Sequence, residues 1–323
     1  MASFRQKFQA GLKTRGMRVT HNPDEACDAI LVIGGTRHLL PLWRARRRGT
    51  RIVQRLDGMN WVHRRRSTGI RHFLRAEYGN LILSWIRSHV ATHILYQSEF
   101  SRRWWNERYG DNKYAYSVVL NGIDLSEYGP EGTGSRPAGR TRLLLVEGNL
   151  GGGYDMGLES ALQLAEILTR RHGFAMEVMV VGKIGERMRA AAESASAVPV
   201  VWTGPVAHER IPEIDRSAHM FFSADLNPAC PNSAIEALAC GLPVLAFDTG
   251  ALRELVLGDS GRLVPYGGDP WRLEKPDVSA LAEAGAEILR DRARFSTAAR
   301  SHAERALGLD RMMDGYLKAL LEE

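Results

Sequence analysis

Residues 227–254 combine the residue types that can hold an anionic or hydroxyl-rich ligand. Their sequence is NPACPNSAIEALACGLPVLAFDTGALRE. It predicts a Pro-rich turn, a short helix with Asn232 or Ser233 as its N-cap, and Gly241 as the residue that ends the helix. The free backbone N–H groups at such a helix start attract anions. Because Glu236 adds a carboxylate in the first turn, the stretch predicts a binding site at a helix N-terminus.

Two interpretations of Glu236 are open. With Ser233 three residues before it, Glu236 fits a capping box, in which its carboxylate accepts a hydrogen bond from the backbone N–H of the cap. Alternatively, the carboxylate binds hydroxyl groups of a ligand. Cys230 is expected to be a small packed residue rather than a nucleophile, because the pattern pairs no histidine with it.

Further candidate residues follow other strand-like runs, where ligands of open α/β sheets bind. A glycine-rich run begins with Gly148 and Asn149 and opens a helix, so its backbone could approach a phosphate. It has neither the Walker A nor the GxGxxG pattern, and a flexible turn is the alternative. Lys183 ends the next strand and adds a positive charge. Gly204 and Val206 follow a third strand, where a bare turn is equally expected.

In the front part of the chain, the same reasoning selects Arg55, Asp57 and Ser98. Arg55 and Asp57 come at the end of a strand-like run, so Asp57 either binds ligand hydroxyls or caps the turn. Ser98 follows the next strand and begins a helix. All three are expected at the carboxyl edge of a sheet.

Strand and helix patterns alternate along the chain, which predicts doubly wound parallel sheets. The strands are expected over 18–20, 29–33, 51–54, 92–96, 116–120, 142–147, 177–181, 200–203, 219–223, 244–247 and 261–264. The longer helices are expected over 39–48, 71–90, 157–171 and 211–217, after a first helix whose apolar face holds Phe4, Phe8 and Leu12. The segments 278–289 and 295–321 are expected to form two or more helices. Such a domain normally begins with a strand, so either the first strand is absent from this sequence or the front domain is trimmed.

Charge divides the chain into two parts. Residues 1–130 carry 22 Lys+Arg and 10 Asp+Glu, whereas the remaining residues carry 21 and 27. This asymmetry predicts two domains with different partners. Residues 121–140 hold five glycines and two prolines and are predicted to link them. The expected domains are therefore 1–125 and 126–304, followed by a terminal helical segment, 305–323.

The basic part of the chain interleaves arginine runs with Trp43 and Trp61. Such a surface favours an anionic membrane or an anionic ligand. Nucleic acid is disfavoured because no nucleic-acid-binding motif is present, and a solvated basic face is the alternative. No run approaches 18 apolar residues, no secretory signal is recognisable, and the three cysteines lack metal-ligand spacing. We therefore expect a cytoplasmic protein with reduced thiols and no transmembrane helix.

The run IEALACGLPVLA, followed by Thr249-Gly250 and Glu254, resembles the donor-binding motif of the retaining GT-B glycosyltransferases of family 4 (glycosyl transferases group 1). The sequence Asn-Gly-Ile-Asp at 121–124 is similar to the interdomain segment of that family. The resemblance implies a GT-B fold, with two doubly wound parallel-sheet (Rossmann-like) domains that face a cleft. It also implies that part of 305–323 crosses back onto the front domain.

The resemblance implies specific roles for the matching residues. Glu236 would bind the ribose of a nucleotide, and the turn after Thr203 would contact the base. The remaining donor-binding residues by this resemblance are Gly148, Asn149, Lys183, Gly204, Val206, Cys230, Asn232, Ser233 and Ala234. Asp57 and Lys183 are the candidate catalytic residues, and Arg55, Asp57 and Ser98 are expected on the acceptor side.

Three positions depart from the family pattern. Pro228 stands where the family has its first Glu, Asn149 replaces an Arg that holds the diphosphate, and Gly153-Tyr154 stands where a Lys is expected. Losing such charge stabilisation would raise the barrier by roughly 3–4 kcal/mol, by analogy with a lost oxyanion donor. Either Lys183 or Arg55 supplies the charge instead, or turnover is slow, or the chain is inactive.

The expected function is transfer of a sugar from a UDP- or GDP-linked donor to a hydroxyl of a carbohydrate or lipid-linked acceptor, with retention and without a metal or other cofactor. One alternative is another GT-B enzyme, such as a nucleotide-sugar epimerase. The other is a catalytically silent subunit that binds a nucleotide-sugar. No nucleic-acid partner is expected, and the basic front domain is expected to contact the inner membrane surface peripherally.

Overall fold

A computed structural model describes residues 2–22, 24–150 and 155–322. The chain divides into a first unit, residues 1–122 with 309–323, and a second unit, residues 123–308. Each unit contains one parallel sheet with helices packed on it. The predicted α/β class with two parallel-sheet domains is therefore confirmed.

The first unit has a four-stranded sheet in the order β1-β2-β3-β4. Its strands are β1 (Ala29–Ile33), β2 (Arg51–Leu56), β3 (His93–Tyr96) and β4 (Ala115–Val118). The second unit has a six-stranded sheet in the order β10-β9-β8-β5-β6-β7. Its strands are β5 (Thr141–Asn149), β6 (Met176–Lys183), β7 (Val200–Gly204), β8 (Met220–Ser223), β9 (Val244–Phe247) and β10 (Gly261–Val264).

Helices connect the successive strands of both units, and further helices precede β1 and follow β10. In the first unit they are α1 (Ala2–Thr14), α2 (Leu39–Arg47), α3 (Ile70–His89) and α4 (Glu99–Tyr109). The second unit contains α5 (Asp155–His172), α6 (Glu186–Ala195), α7 (Ile211–Arg216), α8 (Asn232–Ala239), α9 (Leu252–Leu255), α10 (Val278–Arg290) and α11 (Arg292–Ala306). The last helix, α12 (Leu309–Leu321), packs in the first unit. No described helix is both long and apolar enough to span a bilayer.

Different helices cover the sheet of the first unit at separate apolar clusters. In one cluster, the rings of Phe4 and Phe8 on α1 contact Tyr316 on α12 at centroid distances of 5.2 and 5.1 Å, beside Val53 and Leu95. In another, α2 and α3 pack over β1 and β2 through a buried cluster that consists of Val32, Leu42, Ile52, Ile86 and Val90. The expected apolar face of the first helix is therefore buried, but against the last helix of the chain.

The core of the second unit fills the space between its sheet and the flanking helices α5 and α10. Leu143 and Leu145 on β5 and Leu245 on β9 are fully buried there with Leu168 and Leu281. These continuous apolar strands are typical of a parallel sheet that is covered on both faces. The packing fixes the positions of the strand ends, which carry the polar residues of the candidate site.

Two sequence-based predictions of local structure were wrong. Residues 18–20 form no strand, since this short run has no neighbouring strand to pair with. Gly148 and Asn149 belong to β5 rather than to the loop after it. Residues 121–140 contain no helix or strand, but Ile123 and Tyr128 are buried and Arg300 donates hydrogen bonds to two backbone carbonyls of this segment, so it is a packed part of the second unit.

Candidate functional site

The order of the strands in the second unit creates a switch point between β5 and β8. From β5 the chain winds outward through β6 to β7, and it then returns to β8 and winds the other way through β9 to β10. Ligands of open α/β sheets bind at the carboxyl ends of the strands at such a reversal. The loops after β5 and β8 are therefore the expected ligand-binding region.

The loop after β8 leads into the N-terminus of α8. Pro231 is the N-cap of α8, and no side chain caps the helix. The predicted cap at Asn232 or Ser233 was wrong, because Asn232 is already the first helical residue. The predicted capping box was wrong for the same reason: Glu236 lies at the fifth helical position, beyond the N3 position that a capping box requires. The helix start consequently presents backbone N–H groups and the positive end of its dipole.

The C-terminus of α8 forms as predicted. Gly241 has a φ of 68°, and its N–H donates to Leu238 O at 3.0 Å while the N–H of Leu242 donates to Ala237 O at 2.8 Å. These two bonds define a Schellman motif. Pro243 then leads directly into β9. Backbone hydrogen bonds therefore satisfy carbonyls at the C-terminus of α8, whereas no side chain caps its N-terminus.

Glu236 is buried in the body of α8, with 6% of its surface exposed. Its Oε1 lies 3.8 Å from Nε2 of His208. The hydroxyl of Tyr128 is 3.1 Å from the same nitrogen, and burial followed by the Glu236 charge raises the pKa of Tyr128. Glu236, His208 and Tyr128 therefore form one polar cluster, although they come from three distant parts of the chain.

A second buried acid lies close to Glu236. Asp215 on α7 is 1% exposed, and burial and the charge of Glu236 raise its pKa. Its carboxyl makes a hydrogen bond with Cys240, which lowers that pKa only in part. Its Oδ2 has no partner among the described residues. Burial thus favours the neutral form of Asp215 over its charged form beside Glu236.

The loop before α8 is tied to the turn after β9. The N–H of Ala251 donates to Pro228 O at 2.8 Å, and the N–H of Asn227 approaches Thr249 Oγ1 at 3.4 Å. A Cβ on Gly250 would lie 2.4 Å from the nitrogen of Pro228, so only glycine fits there. Pro228 is packed in this contact between the loop and the turn. It stands where the resemblance implies a Glu, and it supplies no carboxylate.

Asn149 and Lys183 are brought together by the strand register. They pair across β5 and β6 at the carboxyl ends of these strands, both are exposed, and Leu150 N donates to Lys183 O at 2.9 Å. Lys183 is thus a cation beside the position where the family Arg is missing. The predicted glycine-rich loop and its Gly153-Tyr154 lie mostly outside the described residues.

Gly204 ends β7 opposite Val181 of β6. It has a φ of 67° with open space around it, and Val206 two residues later is half-buried. The carboxyl ends of β5, β6 and β7 therefore bring the predicted residues Asn149, Lys183 and Gly204 onto neighbouring strands. Of the predicted residues around α8, Cys230 and Ala234 are buried, Ser233 is half-buried and Asn232 is exposed.

Two carboxyl groups at the switch point were missed by the sequence analysis. Glu147 lies near the end of β5, and Asp225 lies two residues past β8. Burial raises the pKa of both, and the charge of Asp225 raises that of Glu147 further. A protonated carboxyl can donate a hydrogen bond to an anionic oxygen, so this pair can accept a phosphate nearby without full charge repulsion. A sequence signal that could have found these two acids is that each of them follows an apolar run.

The three candidate residues of the first unit have different surroundings. Arg55 is 4% exposed and donates hydrogen bonds to Tyr316 Oη at 2.7 Å and Asn121 Oδ1 at 2.9 Å. Its guanidinium lies 4.0 Å from the ring centroid of Phe4. The prediction that Arg55 faces a ligand is corrected: the last helix and α1 enclose it.

Ser98 is fully buried and serves as the N-cap of α4. Its side chain accepts a hydrogen bond from Ser101 N at 3.0 Å, while Ser98 N donates to Ser101 Oγ at 3.3 Å. This corrects its expected ligand-facing position. Asp57 follows β2 and is half-buried; burial raises its pKa and the Arg55 charge partly offsets this. Of the three residues, Asp57 keeps a side chain that a ligand can reach.

No group of three or more His, Cys, Asp or Glu side chains in the described parts of the chain is arranged to hold a metal ion. The polar groups of the second unit that converge at the sheet edge are instead helix N–H groups, one exposed lysine and carboxyl groups with raised pKa. Such a set suits an anionic, hydroxyl-bearing ligand.

Comparison with known proteins identifies relatives of this arrangement. Residues 141–291 match the family model described as Glycosyl transferases group 1. The chain is 29% identical over 178 residues to D-inositol 3-phosphate glycosyltransferase of Rhodococcus erythropolis, an alignment that covers 49% of this chain and 39% of that protein. The match therefore spans less than half of that relative.

Solved structures of similar fold cover nearly the whole chain. Sucrose-phosphate synthase from Thermosynechococcus elongatus aligns with a TM-score of 0.66 at 18% identity, over 97% of this chain and 75% of that one. HepE from Anabaena in complex with UDP-glucose aligns with a TM-score of 0.65 at 15% identity, over 90% and 78%. These neighbours show that the two parallel-sheet units have the GT-B fold.

Proposed function

We propose that this chain, whose residues 141–291 match the glycosyl transferases group 1 family model, transfers a sugar from a nucleotide-sugar donor to a hydroxyl acceptor with retention. The observation that supports this most directly is the N-terminus of α8, which no side chain caps. It follows β8 at the switch point of the sheet, and the buried Glu236 lies in the same helix. A helix start suits phosphate or sugar oxygens. A buried carboxylate suits ribose hydroxyls, which donate hydrogen bonds to it.

In this proposal each strand end of the second unit holds one part of the donor. Glu236 accepts hydrogen bonds from the ribose, and the backbone of Gly204 and Val206 contacts the base. The first turn of α8 binds the sugar or the phosphates. Lys183, exposed beside Asn149, stabilises the departing diphosphate in place of the missing Arg and of a metal ion.

The proposed acceptor is a carbohydrate or a lipid-linked saccharide, with Asp57 as the acceptor-side residue. The name of the Rhodococcus relative includes D-inositol 3-phosphate, which supports a hydroxyl-rich acceptor. The HepE structure contains UDP-glucose, which supports a UDP-linked donor here. Arginine-rich sequence in the first unit further supports peripheral contact with an anionic membrane.

A catalytically silent, donor-binding subunit is the second candidate. It is favoured by Pro228, which packs against Gly250. Position 228 therefore lacks the carboxylate that the resemblance implies. Binding and turnover must therefore be tested separately.

The first test is a thermal-shift titration of the full chain with UDP, GDP and their sugar conjugates. Glu236→Ala is expected to weaken binding of the stabilising nucleotide by roughly tenfold or more, since hydrogen bonds to a charged group contribute about 1.5–3 kcal/mol. Glu209→Ala removes an exposed carboxylate of the same unit and is the matched control. If no nucleotide raises the melting temperature, the donor-site proposal is wrong.

The second test measures hydrolysis of the nucleotide-sugar that binds. Slow release of free sugar, reduced by Lys183→Ala but not by Arg187→Ala on the exposed face of α6, would support transfer. Tight binding without release of sugar, in the presence or absence of candidate acceptors, would favour the silent subunit.

A further inference from the structure

Helix α3 of the first unit exposes a continuous row of large apolar side chains. These residues, here called the α3 stripe, are Ile70 (79% exposed), Leu74 (63%), Tyr78 (60%), Leu81 (60%) and Trp85 (41%). They recur every three or four residues, so they lie on one face of the helix. At a rise of about 1.5 Å per residue, the row is roughly 22 Å long.

The stripe is not part of the core that holds α3 in place. The opposite face of the helix carries Ala76, Asn80 and Ile86, which are all buried. Ile86 packs with Val32 and Ile52 of the sheet, and Asn80 exchanges hydrogen bonds with the backbone of Asn60. α3 is therefore anchored by this other face, which leaves the stripe largely exposed.

The neighbouring helix α2 adds two more exposed apolar side chains. Leu40 and Trp43 are 67% and 45% exposed. The two helices are adjacent, since Leu42 of α2 shares a core cluster with Ile86 of α3 and Arg46 donates a hydrogen bond to the carbonyl of His89.

The chain segment that contains the stripe is rich in arginine. Residues 36–98 contain thirteen arginines and two acidic residues. One of the two acids, Glu77, forms an ion pair with Arg64 at 2.5 Å and lies 2.8 Å from Nε2 of His63. Arg71 and Arg75 of α3 are exposed, and no acidic side chain in the described parts of the chain forms an ion pair with either of them.

We propose that α3 lies in the plane of an anionic lipid bilayer, with the stripe at the headgroup boundary and Arg71 and Arg75 on lipid phosphates. A helix with an apolar face, flanking arginines, and Trp and Tyr among its exposed residues has the composition of an interfacial helix. Charge complementarity favours an anionic bilayer over an apolar protein groove, which would leave the arginines unpaired. The surface specifies where the proposed membrane contact occurs and uses none of the donor-binding residues.

The test is sedimentation of the full chain with phosphatidylcholine vesicles that contain or lack phosphatidylglycerol, at low and at high salt. We expect binding to the anionic vesicles that weakens as salt screens the arginines. Arg71→Gln with Arg75→Gln should lower the partition coefficient roughly thirtyfold, from the usual contribution of two arginines near an anionic surface. Leu74→Ser with Leu81→Ser should lower it at least tenfold, since both side chains leave the boundary.

Matched controls use exposed residues of the second unit. Leu257→Ser removes a half-exposed leucine and Arg187→Gln removes an exposed arginine, and neither should change lipid binding. The nucleotide thermal shift of every variant reports whether the chain is folded and whether the donor site is intact, so a failure of membrane binding is distinguishable from a failure of donor binding.

Three outcomes would overturn the proposal. The first is equal binding to neutral and anionic vesicles. The second is anionic binding that the stripe and arginine variants leave unchanged. The third is sedimentation-velocity data in which the stripe variants alter self-association but not lipid binding, which would make this face a contact between copies of the chain.

Discussion

Gly182 is the second-last residue of β6, and we expect that no residue with a side chain is tolerated at this position. Its φ is 133°, and a Cβ built on it would lie 1.7 Å from the backbone oxygen of Glu147 on β5. The β5–β6 register shifts at this point, between Val146 and Asn149. A glycine in a strand often marks such a close approach of two backbones. We therefore expect Gly182→Ala to be strongly destabilising.

The magnitude follows from two costs. Real Cβ atoms rarely come closer than 3.0 Å, so the two strand ends must separate by about 1.3 Å, an overpacking that typically costs about 1–3 kcal/mol. A side chain at this φ adds about 1–3 kcal/mol of backbone strain. The sum is about 2–6 kcal/mol, which for a unit of this size corresponds to a melting temperature lowered by roughly 5–20 °C.

The displaced strand ends also carry Asn149 and Lys183. We therefore expect the Gly182→Ala variant, assayed well below its melting temperature, to bind UDP more weakly than the parent chain. Gly185→Ala is the matched control: this glycine lies three residues later, has an ordinary φ of −76°, and a Cβ added to it would have no neighbouring atom within 4 Å. It should change the free energy of unfolding by less than about 1 kcal/mol.

The assay is urea denaturation of both variants followed by circular dichroism, with UDP titrated by thermal shift. Equal denaturation midpoints for the parent chain and Gly182→Ala would refute the close approach of β5 and β6. A large loss of stability in Gly185→Ala as well would show that the loop, and not the contact with Glu147, causes the effect.

Three further outcomes are expected. The Arg64 guanidinium lowers the pKa of Glu77 to about 2, so this pair stabilises the fold above the ordinary Glu pKa and the contribution is lost as pH falls through 2. Glu77→Gln should cost about 1 kcal/mol at neutral pH after allowance for solvent screening, and this cost should shrink as pH falls toward 2, as urea denaturation at neutral and at acid pH would show. Burial raises the pKa of Asp215, so the stability that its protonated form contributes is lost as pH rises above the ordinary Asp pKa. Asp215→Asn should flatten this part of the pH dependence in urea denaturation curves, and an unchanged slope would contradict a raised pKa. Gly241→Ala should cost about 1–2 kcal/mol by calorimetry because of its left-handed φ, and a neutral effect would exclude the Schellman closure of α8.

Local patterns in the sequence were sufficient for the features that depend on neighbouring residues. Gly241 and Pro243 marked the end of a helix and the start of a strand because each acts through its own backbone geometry. The apolar runs of β5 and β9 were recognisable because a parallel sheet buries both faces of a strand. These signals are carried by a few consecutive residues.

Features that depend on distant residues were not predictable in this way. Sequence analysis selected Glu236 as a candidate, but the contacts of His208 with Tyr128 and with Glu236 require the fold to bring together residues up to 80 positions apart. Arg55 was assigned to a ligand because its strand position suits one, whereas Tyr316, 261 residues away, is its hydrogen-bond partner. The one-residue error at the start of α8 arose because Pro231, rather than a better side-chain cap, precedes the helix.

The packing of α12 constrains the order in which the chain can fold during translation. Its buried residues Met312, Met313 and Tyr316 complete the apolar cluster that Phe4 and Phe8 begin, yet the whole of residues 123–308 is synthesised between them. The second unit is contiguous and can fold as it leaves the ribosome. The first unit cannot complete its core until α12 emerges, and Phe4, Phe8 and Arg55 stay exposed until then. A stalled or prematurely terminated nascent chain would therefore expose this surface to chaperones and proteases.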